Sequence, residues 1–179
     1  MVIFYKNLDE LTRKYMLEEL EWDIANGNLY ISKSPRLTSE GQSESIKLLR
    51  EAIISYNDDW LANQLRAKGY MKTYEERRLQ SGKIINAKVP INAHETLAEG
   101  EFNRYYARGL CKRAIAEGIK EVVVYRGKQV ERPRLQSQAM LGKSIDAKAL
   151  LEDLRKSPGV EPALGVPPGP NSGLTICLP

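Results

Sequence analysis

The chain has 179 residues, 42% of them apolar and 28% charged, which suits one soluble domain that buries a real core. No run of about 18 apolar residues occurs, so no membrane span is expected, and the start MVIFYKNLDE lacks the long apolar stretch of an export signal. The net charge of +4 is uneven: residues 1–25 hold three bases against six acids, residues 104–113 hold Arg104, Arg108, Lys112 and Arg113 with no acid, and residues 120–134 hold five bases against Glu121 and Glu131.

Asn7 stands where it can cap a first helix, Leu8 to Asn26, with Asp9 and Glu10 favourably placed in its first turn and Gly27 ending it. Leu29 to Ile31 reads as a short strand before Pro35. Ser39 opens a second helix to about Ser55, with Ile46, Leu49 and Ile53 inward, and Asn57-Asp58 turns into a third, Asp59 to Lys68, closed by Gly69. From Tyr70 to Pro90 the runs KTYEERRL and KIINAKV flank Gln80-Ser81-Gly82, a β-hairpin with a polar tip that projects from the main body.

The central element follows. Asn92 with Glu95 resembles a capping box, and Leu97, Phe102, Tyr105, Tyr106, Leu110, Cys111, Ala114 and Ile115 spread over most of the helix circumference. A helix apolar on so many sides is covered by several partners. Gly118 ends it, Val122 to Tyr125 is a buried strand, and Gln129-Val130 a second short one. A short helical piece is expected at Ser137 to Leu141, and Asp146 caps a last helix to Lys156. Residues 157–179 hold six of the nine prolines and four of the thirteen glycines, yet keep Leu174, Ile176 and Leu178. That combination suggests an extended arm able to add LTICL to a neighbouring sheet, or else a tail hugging the surface.

His94 is the only histidine, which excludes serine–histidine and cysteine–histidine catalysis and histidine-rich zinc sites; it is placed near solvent at the start of the central helix. Cys111 and Cys177 are expected to be reduced. Glu18, Glu19, Glu21 and Asp23 form an acidic group in which Glu18 and Glu21 share one face and Glu19 and Asp23 another. A solvated face is the plain reading, and a pair of carboxylates offered to a divalent ion is its rival. Arg77, Arg78, Lys83 and Lys88 make the hairpin a candidate phosphate-contacting finger. Arg126, Arg132 and Arg134 form a denser patch, suited to DNA phosphates or to the acidic helix of a neighbour. No phosphate-binding loop, dinucleotide fingerprint or metal-protease motif occurs. No catalytic residue, cofactor or metal is therefore assigned.

The segments NLDELTRKYMLEEL, LAEGEFNRYYARGLCKRAI and GVPPGPNSGL resemble those of a family of uncharacterised proteins from phages and prophages, placed among the virion head genes. The resemblance spans nearly the whole chain. It implies a capsid-associated or head-to-tail connecting component, made in the bacterial host cytoplasm and located in the virion, with copies of itself and other virion proteins as partners. It carries no catalytic residues.

The sequence reading is thus an α+β fold with helices around a small sheet: one domain over 1–156, the hairpin at 70–90, and an arm over 157–179. The expected function is structural, through subunit contacts made by Glu18, Glu21, Arg126, Arg132, Arg134, Leu174, Ile176 and Leu178, with non-specific DNA contact left open at the hairpin. The alternatives from other classes are a metal-dependent, nuclease-like enzyme of DNA metabolism and a small DNA-binding regulator.

Overall fold

A helix apolar on all sides needs a neighbour on each, and the computed structural model, which describes residues 2–169 and 171–179, supplies them. Its elements are α1 (Glu10–Asn26), a 3-10 turn (Ile31–Lys33), α2 (Ser39–Ser55), α3 (Asp58–Ala67), β1 (Tyr74–Arg78), β2 (Ile84–Lys88), α4 (Ala93–Ala116), β3 (Glu121–Arg126), α5 (Leu135–Met140), β4 (Ser144–Asp146), α6 (Ala147–Lys156) and β5 (Leu174–Cys177). The fold is α+β. Helix α4 is the hub, packed by α1, α3, α6 and the three-stranded sheet. Its Phe102, Tyr106, Leu110 and Cys111 are fully buried, as are Met16 and Leu20 of α1, Leu61 and Leu65 of α3, and Leu150 and Leu154 of α6.

The sheet has the order β4-β3-β5, antiparallel throughout. Val124 faces Ile176 across β3 and β5, and Val122 and Leu174 lie on the same side by the two-residue period of a strand. All four are buried. The hairpin β1–β2 forms a separate two-stranded sheet in the register Tyr74↔Lys88 to Arg78↔Ile84.

Gly109 marks where α1 and α4 come closest. A Cβ there would stand 2.7 Å from the Met16 backbone nitrogen and 2.9 Å from its Cα. Neither atom can rotate away, so the helices would have to separate. Gly109→Ala is expected to cost about 2–3 kcal/mol, despite alanine's better helix propensity. Thermal unfolding checks this, and an unchanged Tm would show that the two helices are not in register contact.

Several local expectations are corrected. Asp9, not Asn7, caps α1, its Oδ1 accepting from Thr12 N at 2.9 Å, while Asn7 Oδ1 accepts from Leu178 N at 3.0 Å. Leu29 to Ile31 is no strand. With no strand to pair with, the chain turns there, and Leu29 and Ile31 point into the core. Asn92 makes no side-chain cap because its backbone (φ −99°, ψ 15°) is not the extended one a capping side chain needs. Gln129-Val130 is irregular, and β3 takes its second neighbour from β4 instead. His94 is buried.

The largest correction concerns the C-terminal segment. After α6 it is extended and irregular, as its prolines and glycines dictate, but it does not leave the molecule. Residues 174–177 become β5, the edge strand of the chain's own sheet, with Leu174 and Ile176 at 0% exposure and Leu178 partly buried against the core. The apolar residues that suggested an arm find a closer strand, β3, within the same chain. The domain therefore includes this segment. Pro170, inside the expected arm, and Met1 lie outside the described residues.

Candidate functional site: a cleft over the central helix

A helix buried all round also buries its polar residues, and α4 shows the consequence. Arg108 is 0% exposed. Its Nε donates to Glu19 Oε2 at 2.9 Å, and its two terminal nitrogens donate to the Asp23 carboxylate at 2.5 and 2.9 Å. Tyr105 donates to Asp23 Oδ2 at 2.6 Å, and Arg155 of α6 forks onto Glu19 at 2.5 and 3.0 Å. The guanidinium groups of Arg108 and Arg155 both lie over the Trp22 ring. Two arginines thus meet two carboxylates and pin α1, α4 and α6 together. Burial alone would raise the Glu19 carboxyl, but hydrogen bonds from Arg155 and the charge and hydrogen bond of Arg108 hold it below its ordinary value. Burial, then the Asp23 charge, push the Tyr105 hydroxyl well above the usual phenol range, so it remains a donor.

One to two turns nearer the start of α4 this packing opens into a cleft of about 400 Å³. Its floor is Gly100, Glu101, Asn103 and Arg104. Tyr30, Pro35, Arg36 and Glu75 form one wall, and the segments 159–161 and 167–169 with Ser172 close over it. Most charges here are paired. Glu75 accepts from Arg36 at 2.9 and 3.3 Å and from Arg77 at 2.7 Å, and Glu99 accepts from Lys128 at 2.5 Å and Asn171 N at 3.2 Å. Arg104 donates to Leu154 O at 3.1 Å, Ser157 Oγ at 3.3 Å and Val160 O at 3.5 Å. Asn103 Nδ2 donates to Leu174 O at 2.8 Å. Three buried features are left over. Asn103 Oδ1 and Arg104 Nε have no partner, and Glu101, 4% exposed, forms no ion pair among the described residues. Burial pushes the Glu101 carboxyl up to about 7, against the lowering influence of Arg104, Arg108 and the Ile31 N–H.

Chemically the cleft presents one buried carboxyl, Glu101, beside the Arg104 guanidinium, and that carboxyl can exchange a proton near neutrality. The cleft offers no thiol nucleophile. Burial pushes the Cys111 sulfur well above the usual thiol range, and Cys177 is also buried and unpaired. Among the described residues no three His, Cys, Asp or Glu side chains converge as a metal site, and no helix is long and apolar enough to cross a membrane.

The residues singled out from sequence lie elsewhere. Glu18 pairs with Lys112 at 2.7 Å and Glu21 with Arg50 at 2.7 Å, on different sides of α1. Arg113 pairs with Asp9 at 2.7 Å. The acidic first helix and the Arg108–Arg113 stretch of α4 are therefore complementary within one chain, while Arg126, Arg132 and Arg134 make no ion pair with α1 among the described residues. Glu19 and Asp23 form no solvated face, because they are the counter-charges of Arg108. Arg126 donates to Ser172 O at 3.3 Å and Ser137 Oγ at 3.5 Å, and holds the closing segment. Arg132 and Arg134 are exposed and line a second hollow, of about 750 Å³, that shares Pro168, Gly169 and Ser172 with the first. Leu174 and Ile176 are core residues, unable to serve as a free interface. Arg77, Arg78, Lys83 and Lys88 are all exposed on the hairpin, with Arg77 held by Glu75 and Arg78 by Gly82 O at 3.4 Å.

Glu101, Asn103, Arg104, Arg36 and Tyr30 are absent from that set. The signal for the α4 residues was present: polar side chains at 99, 101, 103 and 104 sit within a helix whose apolar residues leave it no solvated face. No protein-family model matches the chain, and no curated protein or solved structure is significantly similar to it.

Proposed function

We propose that the protein is a structural component of a tailed-phage virion, capsid-associated or joining head to tail, that works through contacts with copies of itself and other virion proteins. Two things support this reading. One is the resemblance of residues 7–20, 97–115 and 165–174 to head-gene proteins of phages. The other, which carries it physically, is the hairpin.

Among the described residues strands β1 and β2 pair only with each other, so the outer edge of each forms no strand ladder. Residues 74, 76, 78, 84, 86 and 88 share one face, and every one is exposed. That face carries Tyr74 at 54% and Ile84 at 61% exposure, with Leu79 near the tip and Ile91, at 95%, just beyond β2. The opposite face is fastened to the body through buried Glu75 and Arg36. A two-stranded ribbon is marginal in water by itself and gains stability when a further strand or surface covers it. Open edges with an apolar, mildly basic face suit strand addition by a neighbouring subunit.

The test is sedimentation equilibrium of the full chain beside Tyr74→Ser/Ile84→Ser, both positions being fully outside the core. Association that rises with protein concentration is expected for the parent, and its loss, by roughly tenfold or more in Kd, in the variant. A parent that stays monomeric up to hundreds of micromolar and does not join the particle sinks the reading. Salt-sensitive retention on DNA through Lys83 and Lys88 would assign the hairpin to phosphate contact instead.

A further inference from the structure

The two edges of the hairpin are not equivalent. Leu79 N donates to Lys83 O and Val89 N to Thr73 O, each at 2.9 Å. Antiparallel ladders alternate, so in the register Tyr74↔Lys88 to Arg78↔Ile84 the odd-numbered residues bond within the hairpin. The backbone N–H and C=O groups of 74, 76 and 78 on β1, and of 84, 86 and 88 on β2, therefore point outward. No hydrogen bond from the rest of the described chain reaches them. On the β1 side the chain itself stands in the way. Residues 70 and 72, two and four positions before Tyr74, already bond to the segment 36–38: Thr38 N donates to Tyr70 O and Lys72 N to Arg36 O, both at 2.8 Å. Arg36 is also tied to Glu75 of β1. Among the described residues the β2 edge has no such neighbour, and it stops at Pro90, which has no N–H to offer.

Charge then chooses the partner. We propose that the β2 edges of two copies of this chain pair antiparallel about a two-fold axis at Asn86, joining two hairpins into one four-stranded sheet. The proposal rests on the reading of the hairpin as the subunit contact and names what that contact takes. Asn86 then lies opposite Asn86 of the second copy, and Ile84 opposite Lys88 of the second copy, so that every outward N–H and C=O of 84, 86 and 88 meets a counterpart. Lys88 is the one charged residue of β2. It stands two positions from the axis, so the two copies of it are about 14 Å apart along the strands, beyond the screening length of about 10 Å at 0.1 M salt. An edge that is neutral at its centre and carries its cation at one end is complementary to itself in this orientation. The same arrangement of β1 edges about their middle residue sets Glu76 against Glu76, a like-charge pair. In the β2 pairing the aliphatic stem of Lys88 from the second copy lies between Ile84 and the Tyr74 of its own hairpin. That covers the two large apolar side chains that the single chain leaves 61% and 54% exposed.

Sedimentation equilibrium of full-length Asn86→Lys, Asn86→Glu and their equimolar mixture tests the axis. Each variant alone puts like charges face to face and is expected to weaken association by about tenfold. Mixing the two puts opposite charges there and is expected to restore it. Thermal unfolding confirms that both variants fold, position 86 being exposed. A gain of signal tests the same point. Asn86→Cys, with Cα atoms about 5.5 Å apart across the axis, should form a disulfide between copies under mild oxidation. Glu76→Cys, three strand spacings or about 14 Å from its copy, should not. Cys111 and Cys177 are buried and do not compete. Charged variants that associate as the parent does, a mixture no better than either variant, or a disulfide at 76 and not at 86 overturns the pairing while leaving the hairpin as the subunit contact. A parent that is monomeric alone yet joins the particle also overturns it, giving the edge to a different subunit and keeping the assembly reading. A parent that neither associates nor joins the particle sinks both.

Discussion

Arg108→Met is expected to destabilise the protein by about 3–5 kcal/mol at pH 7, the range for removing one partner of a buried ion network. Native domains have only about 5–15 kcal/mol in total, so this one side chain decides whether the chain stays folded. The reason is what remains behind. Glu19 and Asp23 are 0% and 2% exposed, and without Arg108 the Asp23 carboxylate keeps only the Tyr105 hydroxyl among its side-chain donors. Methionine fills much of the same volume, which separates the electrostatic loss from that of a simple cavity. Urea denaturation should show a lower midpoint with an unchanged slope. Adding Asp23→Asn to Arg108→Met should recover part of the loss, since one stranded charge is then gone. The sign with pH follows from Glu19, whose folded-state carboxyl is held low. Its contribution in the parent is present above its unfolded pKa and is lost as pH falls through the folded one. The deficit of Arg108→Met is therefore widest near neutrality and narrows in acid. A deficit under 1 kcal/mol at pH 7 would mean that water reaches these carboxylates.

The helices were legible in the sequence because local signals and tertiary packing agree on them. Gly27 ends α1 in the left-handed conformation (φ 64°) that glycine takes without cost, and Asp146 caps α6 through Ala149 N. The apolar spread along residues 97–115 pointed to a central helix, and α4 is that helix. Val122 to Tyr125 and LTICL were legible as strands from their β-branched runs. Their pairing was not, because an edge strand offers the same pattern whether its partner belongs to its own chain or another. The segment between α6 and β5 holds no periodic signal that says where it returns. Hydrogen bonds of particular atoms settle it: Asn103 to Leu174 O, and Gly127 N to Gly173 O at 2.8 Å.

Charge was read by blocks, and the blocks misled. The contrast between an acidic start and a basic middle is real, but α1 and α4 lie side by side, so it is spent inside the molecule. Arg108 finds partners 85 and 89 positions away, a separation that composition windows cannot connect. The cleft was hidden for a related reason. Its floor belongs to α4, its wall to the residues flanking the 3-10 turn and to β1, and its cover to the C-terminal segment.

Glu101→Gln is expected to raise stability at pH 8 and to leave it nearly unchanged at pH 4. In the folded chain burial pushes the Glu101 carboxyl from 4.5 up to about 7. Arg104 and Arg108 on the same helix and the Ile31 N–H draw it down, and Asp23 on α1 adds to the rise; Tyr30, Arg36 and Glu75 stand across the cleft. A folded-state value raised above the unfolded one means that the contribution is complete below about pH 4.5 and is lost as pH climbs to about 7. Each pH unit in that window removes about 1.4 kcal/mol, for about 3 kcal/mol in all. Glutamine has no proton to lose, so the gap between variant and parent should open across the window and hold steady above it. Asp58, raised by burial to about 6, bends both curves alike and drops out of the difference. Thermal or urea unfolding at pH 4, 5, 6, 7 and 8 reads the gap directly, and parallel curves would mean that the Glu101 carboxylate is hydrated in the folded chain.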